Sequence, residues 1–515
     1  MTTLPLTLET GVKQLFLDDQ RVAEAKNLDR VVHPLARRRM VLRPDQAWEG
    51  GRVGAFSAPI WVPEAGLYRW VYRPNYKDWV GLAVSEDGIH WEKPNLGLIS
   101  YEGSQQNSLI SKRRIIKVVH DPDDPDPQRR YKGLAVNTPV VSADLIHWQD
   151  AGAPDVPGGD SGSLTYDDME GCLLAPVKIR DPDRETYRQF EIVTSDDFHT
   201  WSEPRFFFGP DDRDQEIAIE RIRRWLSDPG RPRPLFVNPP PHAGWTPPKA
   251  IRDLPKRRHS WNAQCNNISV FPYHRQYVAM ITFLYPTGAY RPVPVNTTGF
   301  FTVELASTRD LLSWNRLREP FLEPARLDHG VADNYERMLV QPVSQPVERN
   351  DELWFYYMGG KEHQSFTDSP HSPGRYSTYM DGTPRSPDSL SDVERADIAA
   401  GQSALYVGIL RMDGFVSMNA GPTGGYLLTE PFVLPAGDLF LNAACSPSGH
   451  VSVELLAASG ASLAVSAPVT GDAVRLPVHW RKRYDPAAEI GRPVRLRFTL
   501  ENAELYAFWI EASPR

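Results

Sequence analysis

The chain has 515 residues, 41% hydrophobic and 10% aromatic, enough to bury several cores. A formal charge of −8 and a pI near 5.9 argue against nucleic acid as the main partner, because phosphate contacts need a basic surface. No run of about twenty apolar residues offers a membrane span, and Met1 to Thr10 lacks a basic stretch followed by an apolar one, so no membrane partner and a cytoplasmic location are expected.

In chain order, Leu15-Phe-Leu-Asp-Asp19 reads as a first strand ending in a turn, and Arg37-Arg38-Arg39 as a solvated or ion-paired stretch. A short phrase then recurs four times: Ser85-x-Asp87-x-x-x-Trp91, Ser142-x-Asp144-x-x-x-Trp148, Ser195-x-Asp197-x-x-x-Trp201 and Thr308-x-Asp310-x-x-x-Trp314. Each copy follows alternating apolar residues, so its Asp turns the chain at a strand end and its Trp plugs the gap between sheets. His90, His147 and His199 sit inside these phrases and read as structural.

The first intervals, 57 and 53 residues, fit four-stranded propeller blades; the third, 113, fits one blade with an insertion. The insertion is placed at about 208–262, where Pro and charge crowd out strand alternation, and it is expected to shape the rim of the central funnel. A fifth unit runs from about Leu339 to Phe415, with Asp413-Gly414-Phe415 in place of the phrase. Forty-seven Pro, thirty-six Gly and no sustained helical period favour an all-β chain. After residue 416, short period-two strands broken by Gly, Pro and Asn read as a C-terminal antiparallel β-sandwich. The expected organisation is therefore a five-bladed β-propeller over 1–415 and a sandwich over 416–515, with bracing favoured over sugar binding for the latter.

Cys172, Cys265 and Cys445 are few and far apart, which fits buried apolar side chains and neither disulfides nor zinc. Asp121-Pro-Asp-Asp-Pro-Asp126 and Asp211-Asp-Arg-Asp214 lack a complete calcium loop, and phosphate loops and a nucleophile elbow are absent. No cofactor and no metal are expected.

Blade register locates the ends of the inner strands that face the funnel. Counting back from each first hairpin turn gives Phe56-Ser57, Arg114-Ile115, Asp160, Cys265-Asn266-Asn267 and the end of Asp333-Asn-Tyr-Glu336-Arg337-Met-Leu339. Two acids from different blades, Asp160 and Glu336, fall there, and glycosidic cleavage uses such a pair. Asp160 capping a turn with Ser161, and Glu336 pairing with Arg337, are the structural alternatives. Arg52, Arg114, His259, Trp261, Asn266, Asn267 and His363 lie on strand starts or the loops above them. They suit sugar hydroxyls, stacking on a pyranose, or an anionic sugar or phosphate.

Leu15-Phe-Leu-Asp-Asp19, Val84-Ser-Glu-Asp-Gly-Ile-His-Trp-Glu-Lys-Pro-Asn-Leu-Gly97, Asp351-Glu-Leu-Trp-Phe-Tyr-Tyr-Met-Gly-Gly360 and Arg411-Met-Asp-Gly-Phe-Val416 resemble the five-bladed propellers around glycoside hydrolase families 43 and 32, and related bacterial proteins with a following β-sandwich. The resemblance implies Glu336 as general acid and Asp160 as base or orienting carboxylate. Those families also place an acid at the start of the first inner strand, where Gly54-Ala-Phe-Ser-Ala-Pro59 has none; Glu49 and the pair Asp18-Asp19 are nearest.

The expected function is a glycoside hydrolase acting on an oligosaccharide or glycoside substrate. The alternatives are a phosphorylase using inorganic phosphate and a carbohydrate-binding or assembly protein without catalysis; a homo-oligomer is compatible with each.

Overall fold

The computed structural model describes residues 6–75, 78–158, 161–179, 188–232, 263–289, 297–326, 334–362, 386–481 and 486–512. Five antiparallel sheets form the blades of a propeller. The first begins with an interrupted inner strand, Val53–Gly54 and Ile60–Val62, and continues through Leu67–Pro74, Val80–Ser85 and Leu109–Ser111. The second, third and fourth start at Ile115–His120, Thr165–Asp167 and Gln264–Tyr273 and end at Gln149–Asp150, Arg205–Phe208 and Asn315–Leu322. The fifth starts at Leu339–Pro342 and adds Glu352–Gly360 and Ser403–Arg411. Its outermost strand, Arg37–Leu42, comes from the other end of the chain and closes the ring.

The recurring phrase does what its chemistry demands. Asp87 Oδ1 accepts the N–H groups of Ile89 and His90, both at 2.8 Å, while Ser85 Oγ accepts Gly88 N–H at 2.9 Å. The same bonds recur at Ser142/Asp144 and Ser195/Asp197 and, in part, at Thr308/Asp310. The residue after each Asp takes positive φ, which costs Leu145, Phe198 and Leu311 strain that these bonds offset. Each Trp then packs toward the preceding blade. Trp91 lies 6.3 Å from Tyr356 of the fifth blade, Trp148 joins Val62 and Val71 of the first, Trp201 joins Val119 and Leu134 of the second, and Trp314 lies 5.0 Å from Phe207 of the third.

Neighbouring inner strands are tied near the axis. Val118 N–H donates to Ser57 Oγ at 2.6 Å, Ala58 N–H to Ser344 Oγ at 2.8 Å, and Thr165 Oγ1 to the Val270 carbonyl at 2.7 Å.

Residues after 416 form an 11-stranded sheet with a long hairpin, Asp438–Ala457 and Pro493–Glu511, at its centre. Four strands of that sheet come from residues 6–32, which the sequence assigned to the propeller: Leu6–Thr7, Gln14–Leu15, Val22–Lys26 and Asp29–Val32 pair with the C-terminal segment. Short strands leave no blade-length period to read, so their partner is set by tertiary pairing alone. Asp18-Asp19 is a turn, as expected; Asp18 Oδ1 accepts Gln20 N–H at 3.0 Å, and Arg309 donates to its other oxygen at 3.1 Å. The two units meet at Asp413, which is fully buried and accepts from Lys13 at 2.8 Å, Tyr273 at 2.7 Å and Asn442 at 2.9 Å.

The insertion contains a helix, α1 (Asp212–Ser227), where no helical period was expected. Its apolar stripe is only Ala218, Ile222 and Trp225, hidden among charges. Asp211-Asp-Arg-Asp214 is its reciprocal cap: Asp214 N–H donates to Asp211 Oδ1 at 3.0 Å and Asp211 N–H to Asp214 Oδ2 at 2.9 Å. Buried ion pairs fasten α1 to the fourth blade, Asp214 to Arg316 at 2.7 Å and Arg316 to Glu304 at 3.0 Å. Among the described residues no helix is long and apolar enough to cross a membrane.

Two outcomes are expected. Asp413→Ala strands the Lys13 ammonium and should cost about 3–5 kcal/mol of unfolding free energy by denaturant titration. For Asp197 and Asp310, the backbone N–H groups of Thr200 and Ser313 lead in holding the carboxyls down to about 2. A depressed folded value contributes stability above the unfolded value of about 3.9, and that stability is lost as pH falls toward 2. The Tm gap between wild type and Asp197→Asn/Asp310→Asn should therefore narrow between about pH 4 and 2.

Candidate functional site

The mouth of the funnel is built by the N-terminal ends of the inner strands. Arg52 precedes Val53, its N–H donates to the Glu49 carbonyl at 2.9 Å, and it bridges to Ser403 of the fifth blade. Arg114 precedes Ile115, its carbonyl accepting Val136 N–H at 3.0 Å. In the fourth blade the register shifts between Cys265 and Asn267, so Asn266 is the extra residue of a bulge. Asn266 Oδ1 accepts from Arg188 at 3.0 Å. Asn267 links three blades, accepting Gly162 N–H at 2.8 Å and donating to the Pro342 carbonyl at 3.4 Å. Gly162 has φ +90°, and a Cβ there would lie 2.1 Å from the Pro176 carbonyl oxygen, so only glycine lets the third blade's mouth approach so closely. Asp160, His259, Trp261 and His363 lie outside the described residues.

Glu336 is buried just before the fifth inner strand, its N–H donating to Asn334 Oδ1 at 3.0 Å. Its side chain crosses Gly359 of the second strand, where a Cβ would come within 3.1 Å of Glu336 Cγ. Glu336 Oε1 accepts from Tyr357 Oη at 2.7 Å and from Arg38 at 3.3 Å. Burial first, and then the Glu336 carboxyl, push the Tyr357 hydroxyl well up, so it stays a donor. The carboxyl lines a cavity of about 510 Å³ whose other walls include Arg38, Arg231, Glu323, Asn334 and Tyr406. Arg38 lies on the closing strand of the fifth blade, and Glu323 follows the outer strand of the fourth, so this cavity sits over the seam between those blades.

Arg337 is not the partner of Glu336. Arg337 donates to both oxygens of Asp397 at 2.6 Å, and Lys361 donates to the same carboxylate at 2.8 Å. All three are buried, and Asp397 is presented by α2 (Asp392–Ala399). This triad braces the segment that carries Glu336 from behind.

Glu49 is fully buried in the short helix Ala47–Glu49. Its Oε2 accepts the N–H groups of Asp45 at 2.8 Å and Gln46 at 2.9 Å, and Lys93 lies 2.7 Å from Oε1. Those contacts make it a cap and an ion-pair partner next to Arg52 at the mouth.

Sequence register found the inner-strand starts of the second, fourth and fifth blades, whereas Phe56-Ser57 fall in the gap of the first inner strand and the third starts at Thr165, past Asp160; it did not find the groups beside them. Arg73 pairs across from Gly54, Lys117 lies on the second inner strand, and Lys178 donates to Ser161 Oγ. Arg52, Arg114 and Arg188 join them on the mouth side of the first three blades, each with a partner of its own. Lys117 within Ile115-Ile-Lys-Val-Val119 was the available signal: one charge inside an apolar inner strand. Tyr357 and Arg38 gave none, because their strands read as ordinary blade edges. Among the described residues no cluster of three or more His, Cys, Asp or Glu is placed to hold a metal ion.

No protein-family model matches the chain, and no curated relative matches it. Solved structures with a similar course of chain include an N-acetylgalactosamine deacetylase from F. plautii in complex with blood group B trisaccharide, 14% identical over 80% of this chain and 96% of that one, TM-score 0.36. A Bacillus subtilis family 43 arabinoxylan arabinofuranohydrolase is 8% identical over 92% and 99%, TM-score 0.36. The Bombyx mori family 32 β-fructofuranosidase BmSUC1 is 10% identical over 94% and 96%, TM-score 0.35. At such identities and TM-scores, the chemistry has to be argued from this chain's own residues.

Removing Asp397 leaves two buried cations without their shared carboxylate. Asp397→Ala should cost about 3–5 kcal/mol in urea unfolding, and more than Asp388→Ala on the exposed helix just before it.

Proposed function

We propose that this protein is a glycoside hydrolase that cleaves a glycosidic bond of an oligosaccharide at the mouth of the propeller by carboxylate acid/base chemistry. The observation that carries the reading is Glu336: a buried carboxyl on a cavity wall, fixed by Tyr357 and Arg38 and braced by the Arg337–Asp397–Lys361 triad. A catalytic carboxyl needs this restraint, because proton transfer and attack on the anomeric carbon depend on position within a few tenths of an ångström. Asp160, the acid that register assigns to the third blade, is the proposed partner. In the scheme, one carboxyl protonates the leaving glycosidic oxygen while the other, ionised, activates water or attacks carbon. Asn266 offers its amide to a sugar hydroxyl, Asn267, buried and bonded to Gly162 and Pro342, holds the mouth in shape instead, Arg52 and Arg114 stand at the rim, and His259, Trp261 and His363 complete the proposed substrate contacts. Glu49, held by Lys93 and two backbone N–H groups, fits orientation of the Arg52 segment better than proton transfer.

The second reading is a phosphorylase, in which inorganic phosphate takes the place of water and the product is a sugar phosphate. The C-terminal sheet is proposed as a sandwich that braces the ring, and the α1 insertion as part of the funnel rim.

A screen of aryl glycosides and natural oligosaccharides, with and without phosphate, tests the proposal. Turnover by wild type should fall by roughly 10²–10⁴-fold in Glu336→Gln and in Asp160→Asn. Turnover only with phosphate selects the phosphorylase. Unchanged rates in both variants overturn the site, and glycan binding without any turnover points to a non-catalytic protein.

A further inference from the structure

A second cavity, of about 500 Å³, opens on the other face of the ring, where the inner strands of the first, second and fifth blades end. It lies at the opposite end of those strands from Arg52, Arg114 and Glu336, so it is separate from the mouth. Its volume is within the range of small-ligand sites, about 300–1,000 Å³.

Trp61 forms one wall. It is 44% exposed, although indoles are usually buried, and it is held in place by its cross-strand partner Tyr68, edge-on at 4.9 Å. The Arg349 guanidinium lies 5.9 Å over the Tyr68 ring and 5.1 Å over Trp354, and it donates to the Asp87 carbonyl, so it is fixed before any ligand arrives. On the fifth-blade wall, the half-buried Gln345 side chain lines the cavity. Ser344, Glu348, His120 and Glu86 complete the polar side.

We infer that this cavity is a binding site for a neutral pyranose unit. A pyranose has an apolar face of C–H groups that stacks on an exposed indole, and a rim of hydroxyls that both donate and accept. Its hydroxyls would meet the Gln345 amide, Arg349, His120 or Glu86. Lying on the face away from Glu336, the site would hold a glycan chain without placing a bond for cleavage. It does not depend on the catalytic reading, since a binding protein could use it equally.

Isothermal titration with xylotriose, cellotriose, maltotriose and adenosine tests this on wild type, Trp61→Ala, Gln345→Ala and Glu336→Gln. At least one trisaccharide should bind saturably, about tenfold or more weaker in Trp61→Ala, weaker in Gln345→Ala, and unchanged in Glu336→Gln. Trp61→Phe should restore most of the affinity, which a merely destabilised variant would not do. Absence of binding by all three trisaccharides, binding indifferent to Trp61→Ala, or binding of adenosine alone would overturn the assignment.

Discussion

The ring and its candidate site both depend on one strand. Arg37–Leu42 leaves the N-terminal half of the second sheet and pairs with Leu405–Ile409, closing the fifth blade with chain from the opposite end of the sequence. In that register Arg38 stands opposite Gly408, whose missing side chain makes room for Leu35, completely buried beneath it. From there Arg38 reaches the Glu323 carbonyl of the fourth blade at 2.7 Å and the Glu336 carboxylate. Closing the ring therefore also positions the acid. Closure packs the first and fifth blades together and leaves only the short outer edge of each blade, so the cooperativity of the ring rests on this joint.

Three other joints are polar. Asp413 ties the N-terminal segment, the fourth blade and the second sheet. Asp214 and Glu304 tie α1 to the fourth blade through Arg316, and Asp397 ties α2 to the mouth of the fifth. Each is a buried carboxylate satisfied by two or more donors, which is the condition under which a buried charge is tolerated. Such pairs add little net free energy against an apolar replacement, but they allow one geometry only. That property suits the places where a blade, a helix and a second sheet must meet in register.

The blades were legible in the sequence because the Ser-x-Asp-x-x-x-Trp phrase has a local cause: the Asp bonds to N–H groups two and three residues ahead, and the Trp covers the preceding blade. Register derived from it placed the inner-strand starts correctly at Ile115, Cys265 and Leu339. Pairing set by distant chain was not legible. The strands of residues 6–32 carry no mark of their partners some four hundred residues later, and α1 is dominated by charge. The site was half legible for the same reason. Glu336 could be placed by counting, but Arg38 read as one of three surface arginines and Tyr357 as one aromatic in an apolar strand. Their convergence on one oxygen is a product of closure.

The most direct test of the account is a crystal structure of Glu336→Gln bound to an oligosaccharide that the wild type cleaves. The account predicts sugar at the mouth of the funnel, with the scissile glycosidic oxygen within about 3.2 Å of the residue 336 side chain or one water away. Sugar confined to the opposite face beside Trp61, or a scissile bond distant from residue 336, would contradict it.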